Sequence, residues 1–281
     1  MDIEHLRTWI GRSERAAQTA SPEPIAGLAA LLDHDVPPWP ADEVPPLGHW
    51  LYFLPHARQS QIGADGHPRR GDFLPPVDLP RRMWAGGRLR FHAPLPIDAA
   101  IERLSIIEDV AAKTGATGAM LFVTVKHIIH ADGALAIEEW QDIVYRGDAP
   151  AAAPPPAPSA ADPRRADVTR EWTADAVSLF RYSALTFNAH RIHYDRDYAR
   201  DVEGYPGLVV HGPYAATLLL DLFLRETPVA RVTGFDFRAR KPLFDIAPFT
   251  LNLQHGVGSS EAWTAGADGQ AAMTARISWE D

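Results

Sequence analysis

Residues 212–226 read GPYAATLLLDLFLRE, a run that is apolar on nearly every side when wound as a helix. Pro213 suits the first turn, where its missing N–H costs nothing. A helix without a polar face cannot rest on a surface and needs cover all round. The residues that follow can supply it. Val229–Lys241, Pro248–Gly256, Glu261–Gly266 and Ala271–Trp279 mix apolar and polar residues in the manner of strands. Upstream, TADAVSLFRYSALTF (173–187) has a threonine start signal and apolar residues near helical spacing, which predicts a second helix.

One buried helix followed by an antiparallel sheet is an α+β plan. A strongly curved sheet wrapped about such a helix is the hot-dog architecture. In the first half of the chain, Arg88–His92, Ala119–His130 and Leu135–Arg146 read as strands partly exposed on one face, and Ile101–Lys113 fits either a strand or a short helix. Residues 37–80 are rich in proline and show little periodicity. Between the halves, GDAPAAAPPPAPSAADPRRAD (147–167) cannot close a helix or a sheet ladder and predicts an extended, semi-rigid connector. The expected fold is therefore a double hot dog. Residues 1–146 form an N-terminal half that shapes the pocket, 147–167 a linker, and 168–281 a catalytic half. The N-terminal central helix is degenerate, since no comparable apolar run occurs there.

With 281 residues, 46% hydrophobic and 22% charged, the chain can build one large domain or two of about 130 residues. It has no cysteine, which excludes a disulfide framework, a zinc–thiolate site and a cysteine nucleophile. The opening MDIEHLRTWIGRSERAAQ carries both charge signs and lacks the apolar core of a secretory signal. No stretch approaches the roughly 20 apolar residues of a membrane span, so a cytoplasmic protein is expected. The formal charge of −9 argues against a nucleic-acid partner. Local clusters at Arg238, Arg240 and Lys241, or at Arg81 and Arg82, read either as solvated charges or as a seat for a nucleotide's phosphates.

Chemistry-bearing residues gather just before the apolar helix. Asn188, His190, His193 and Asp195 fall within eight positions, and His211-Gly212-Pro213 follows. The Gly212 N–H would stand at the positive end of the helix dipole, open to close approach because glycine has no side chain. Such a donor stabilises an enolate oxygen, and imidazole can activate water near neutral pH without much tuning. His193 and Gly212 are the candidate pair. His190 has a structural reading, hydrogen-bonded to backbone or facing solvent. Asp195 either fixes a histidine tautomer or begins the next turn, and His211 either contacts substrate or packs at the helix entry. A metal held by His190, His193 and Asp195 is a rival reading. It leaves the Gly-Pro helix start unexplained, and no metal is expected.

The string FNAHRIHYD (187–195), closed by His211-Gly212, resembles the hydratase-2 motif of MaoC-like enzymes. It is similar, more fully, to the type 2 hydroxyacyl-thioester dehydratases and to the mesaconyl-C4-CoA and itaconyl-CoA hydratases, which are tandem hot dogs. The likeness is specific over residues 170–225 and weaker over Met83–Gly87. It implies a hydratase or dehydratase of a 2-enoyl-CoA thioester, with a short branched dicarboxylic acyl group such as mesaconyl-C4-CoA or itaconyl-CoA. By the same resemblance His193 activates water and the Gly212 N–H binds the thioester oxygen. Asn188 stands where hydratase-2 enzymes have aspartate. An amide cannot accept the proton, so Asn188 is expected to orient water or substrate while His193 cycles between base and acid. His211, Arg191, Arg238, Arg240 and Lys241 are candidate substrate contacts, with Arg181 or Arg191 for a second carboxylate. No cofactor is implied, since coenzyme A is part of the substrate. A 3-hydroxyacyl-ACP dehydratase, a non-catalytic acyl-thioester-binding hot dog and, on fold analogy, a thioesterase remain alternatives. A monomer and a homodimer both fit.

Overall fold

The computed structural model describes residues 2–115, 118–147 and 164–280; residues 148–163 of the expected linker lie outside them. Ten strands among the described residues form one antiparallel sheet. The first half supplies β1 (Ser13–Thr19), β2 (Arg81–Phe91), β3 (Ala100–Gly115), β4 (Gly118–Ala131) and β5 (Ala134–Arg146). The second supplies β6 (Val168–Trp172), β7 (Arg231–Ala239), β8 (Phe249–Gln254), β9 (Ser259–Ala265) and β10 (Ala271–Glu280). The order is β1-β3-β4-β5-β2-β7-β10-β9-β8-β6, so each half keeps its own strands together and the two meet where β2 pairs with β7.

The stretch left open at Ile101–Lys113 is strand. β3 is paired along one edge by β1 and along the other by β4, which fixes it more firmly than its local sequence does. Along β4 every second residue from Leu121 to Ala131 is buried, the period of a strand with one face on the core. The edge strands β1 and β6 escape a reading by apolar alternation because their side chains are mostly exposed or half-buried.

Four α-helices accompany the sheet among the described residues: α1 (Ile3–Arg7), α2 (Glu23–Leu31), α3 (Ala176–Leu185) and α4 (Gly212–Glu226). Every residue of α4 from Tyr214 to Leu224 is buried, and β8, β9 and β10 pack against it. The run includes one carboxylate, Asp221, which accepts from Arg225 Nε at 2.8 Å and bonds His34 Nε2 at 2.6 Å. Pairing of this kind is what lets a charge stay in a core. In the N-terminal half, the nine-residue α2 buries only Ile25, Leu28 and Leu31.

The seam between the halves is close-packed. A Cβ on Gly86 would stand 2.6 Å from the Phe237 carbonyl oxygen, and one on Gly87 would stand 2.7 Å from the Phe237 ring. The register of β2 against β5 shifts between Trp84 and Gly86, a bulge beside the start of α4. No helix among the described residues is long and apolar enough to cross a membrane.

Candidate active site

Helix α3 begins at Asp175 rather than at the expected threonine: Asp175 Oδ1 accepts from the Ser178 N–H at 2.7 Å. Its other end sets the site. The Phe187 N–H donates to the Ala184 carbonyl at 3.3 Å and the Asn188 N–H to the Ser183 carbonyl at 2.8 Å, with Phe187 left-handed at φ 47°. This is the Schellman closure, with phenylalanine where glycine is usual. It turns the chain so that Asn188 leaves the helix toward a cavity of about 1210 Å3. Asn188 Oδ1 then accepts from the His190 N–H at 3.0 Å, which leaves its NH2 group to donate.

A single 3-10 turn, Arg191–His193, carries the chain to the buried His193. Its Nδ1 lies 2.7 Å from the Val209 carbonyl, which can only accept, so Nδ1 holds the proton and Nε2 keeps the lone pair. Burial pushes the ring down to about 4, against the pull of the Val209 bond. The expectation of an imidazole needing little tuning is corrected: the surrounding core holds it neutral. On one face His193 stacks on His211, whose Nε2 shares a hydrogen bond of 2.9 Å with Ser183 Oγ. Burial also takes His211 well below the ordinary histidine range.

Gly212 opens α4 behind His211, and an added Cβ would meet nothing nearer than the Trp84 carbonyl at 3.8 Å. As a first-turn N–H it has no acceptor within the helix. Asn188, His190, His193, His211 and Gly212 all line the one cavity. Arg238, Arg240 and Lys241 line it as well; the two arginines are exposed, while Lys241 pairs with Asp268.

The structure does not bring Arg191 to this cavity. Its guanidinium bonds Asp195 at 2.7 Å, donates to the Ala64 carbonyl at 3.2 Å and lies over the Tyr198 ring. It is a brace, drawn away by an acid one helical turn on. Arg181 is exposed and does not line the cavity either. Asp195 is taken by Arg191 and by the Tyr198 N–H, so the trio of His190, His193 and Asp195 does not form a metal site.

Sequence reasoning missed the proline-rich stretch of the first half. Asp65, His67 and His190 bring ligand atoms within 4.8 Å of one another. Both carboxylate oxygens of Asp65 are held by His67, Oδ1 accepting from its N–H and Oδ2 lying against Nδ1, each at 3.0 Å. Arg82 and Arg70 add positive charge there, which opposes a cation. The group reads better as a carboxylate orienting His67, which also lines the cavity. Burial and the charge of His67 push His190 down to about 2. The signal in sequence was Gly66: at φ 90°, its Cβ would fall 1.8 Å from the Ala189 carbonyl oxygen, so this loop docks directly on the Asn188–His193 motif.

The family described as hydroxyacyl-thioester dehydratase type 2 matches residues 47–245. The chain belongs to that family. Among its relatives, the mesaconyl-C(4)-CoA hydratase of Chloroflexus aurantiacus is 46% identical over 270 residues, 96% of each chain. The mitochondrial type 2 hydroxyacyl-thioester dehydratase of Schizosaccharomyces pombe is 31% identical, covering 72% of this chain and 75% of its own. A Mycobacterium tuberculosis protein described as a double hotdog fold superimposes with a TM-score of 0.60 at 15% identity, over 96% of both chains. This type 2 dehydratase is thus a double hot dog, as the buried helix and its sheet predict.

Proposed function

We propose that this protein reversibly hydrates the double bond of a 2-enoyl-CoA thioester whose acyl group is a short branched dicarboxylic acid. The observation that carries the reading is the pairing, in one cavity, of a neutral histidine with Nε2 free and the first N–H of a buried helix. The relative named for mesaconyl-C(4)-CoA, at 46% identity over 96% of the chain, supports the substrate class.

In the forward direction His193 Nε2 takes a proton from water as the water oxygen bonds to the β-carbon. The π electrons move to the thioester oxygen, where the Gly212 N–H and the dipole of α4 hold the enolate. The imidazolium then returns its proton to the α-carbon, and the enzyme is regenerated. The NH2 of Asn188 orients the water or the substrate by donating a hydrogen bond. The exposed Arg238 and Arg240 fit the phosphates of coenzyme A. The reaction needs no cofactor beyond the coenzyme A of the substrate, and either a monomer or a homodimer of the chain can carry it. The first half, through β2, β4 and β5, shapes the acyl pocket. We place the reaction in the cytoplasm, and nucleic acid has no part in it.

Loss of the enoyl-thioester absorbance with mesaconyl-C4-CoA, itaconyl-CoA and crotonyl-CoA tests the reading. Wild type should consume at least one of them and His193→Ala should be slower by about 100-fold or more. Release of free thiol instead would make the protein a thioesterase, and no consumption by folded wild type would end the hydratase reading.

A further inference from the structure

Among the described residues, Arg82 is a cation without a counter-ion. It stands on β2 directly across from Tyr145 on β5, and the guanidinium lies beside the buried Tyr145 hydroxyl. It lines the catalytic cavity together with Asn188, His190 and His193. Its neighbours in sequence and space are spoken for. Arg81 pairs with Glu203, and Arg70 donates to the carbonyls of Val77, Leu79 and Pro80. Among the described residues no carboxylate lies within ion-pair distance of Arg82. Asp65, an acid close enough to act on its charge, has both oxygens committed to His67.

An ion taken largely out of water without a partner is costly, and proteins keep such groups only where something else supplies the opposite charge. Arg82 borders two openings, a hollow of about 350 Å3 shared with Asp65, His67 and Arg70, and the catalytic cavity; of the two, the catalytic cavity is the one that also holds His193 and Gly212. A planar guanidinium there is built for a two-oxygen anion. Its charge reaches His190 and His67, on the same wall of the cavity as the motif that carries His193, which puts that anion at the acyl end of the substrate.

We propose that Arg82 binds a carboxylate carried by the acyl group, and so selects dicarboxylic over neutral enoyl thioesters. The inference rests on the hydratase reading for its reaction, but the binding it claims is independent of turnover. The thioester oxygen on Gly212 and the carboxylate on Arg82 hold the acyl group at two points, which fixes the face of the double bond presented to His193.

The test has two arms. In the first, wild type is titrated calorimetrically with succinyl-CoA and with butyryl-CoA, which share coenzyme A and a four-carbon chain and differ in the terminal carboxylate. Succinyl-CoA should bind at least about 10-fold tighter. Equal affinity overturns the proposal, whatever the variants do. In the second, the ratio of kcat/KM for mesaconyl-C4-CoA to that for crotonyl-CoA is compared among wild type, Arg82→Gln and Arg82→Lys. The ratio should fall by about 100-fold in Arg82→Gln and recover in part in Arg82→Lys. A ratio that stays at the wild-type value while both rates fall together would make Arg82 structural and overturn the proposal. Were wild type to hydrate nothing, the hydratase reading would fail while the succinyl-CoA preference still decided the anchor.

Discussion

His193 lies nearly parallel to His211, the ring centroids 3.6 Å apart and the planes 19° from parallel, and burial keeps both rings uncharged. The stack seals one face of the base from water, and the Val209 carbonyl fixes its tautomer. A base held this way is weak at rest. Any proton it takes from water is poorly accommodated among neighbouring imidazoles, which favours prompt return to the α-carbon of the enolate.

The pH dependence of kcat/KM follows from this. The free enzyme must have His193 neutral, and its ring titrates at about 4 in place of the usual 6.5. The acid limb of the profile should therefore fall near pH 4, with little loss between pH 7 and 5.5. A limb at 6.5 would mean that the ring is solvated.

Stability should move with pH in a defined direction. Burial lowers His193 and His127 to about 4 and His190 to about 2, and it takes His211 well below the ordinary histidine range. Below 6.5 the unfolded chain binds protons that the folded one refuses, so this contribution is intact above 6.5 and is lost as pH falls toward 4. For His193 alone the loss is about 3 kcal/mol over that interval. Urea unfolding at pH 7.5, 6 and 5 should show a falling midpoint, with a shallower fall in His193→Gln; a constant midpoint would contradict the burial of these rings.

Gly212→Ala separates folding from catalysis. There is room for the methyl group, since the nearest atom is 3.8 Å away, and alanine is the better helix residue by up to about 1 kcal/mol. The melting temperature should hold or rise while kcat falls at least about 10-fold, because the methyl crowds the approach of the thioester oxygen to the N–H. Full activity in this variant would remove Gly212 from the mechanism.

Gly86→Ala tests the seam. Its Cβ would sit 2.6 Å from the Phe237 carbonyl oxygen, a backbone atom that cannot swing aside. The variant should lose about 1–3 kcal/mol of stability, read by chemical unfolding, whereas Gly133→Ala, at an open turn position with φ 83°, should lose about 1 kcal/mol through backbone strain alone.

The central helix was legible because a sequence with no polar face admits few folds, and the motif from Asn188 to Gly212 because its residues are close in the chain. The other wall of the site was not. Asp65, His67 and Arg82 come from or just beyond a proline-rich stretch whose conformation is set by docking onto Ala189 and His190, which no periodicity encodes. Arg191 differs for the opposite reason: its charge is visible in the sequence, and so is an acid four residues on, and the ion pair between them draws the guanidinium out of the cavity. The depressed basicity of His193 is a tertiary property, created by the helix and strands that close over it.

The pairing of β2 with β7 has a kinetic meaning. Where two hot dogs meet as separate chains, their contact is second order, and dilution unmakes any cavity that borrows walls from both. Here the walls are joined by one polypeptide, so the concentration of one half around the other is set by the chain that links them and not by dilution of the protein. Each half is also free to accept substitutions that its counterpart does not share, which is how one side can carry His193 and the other Arg82.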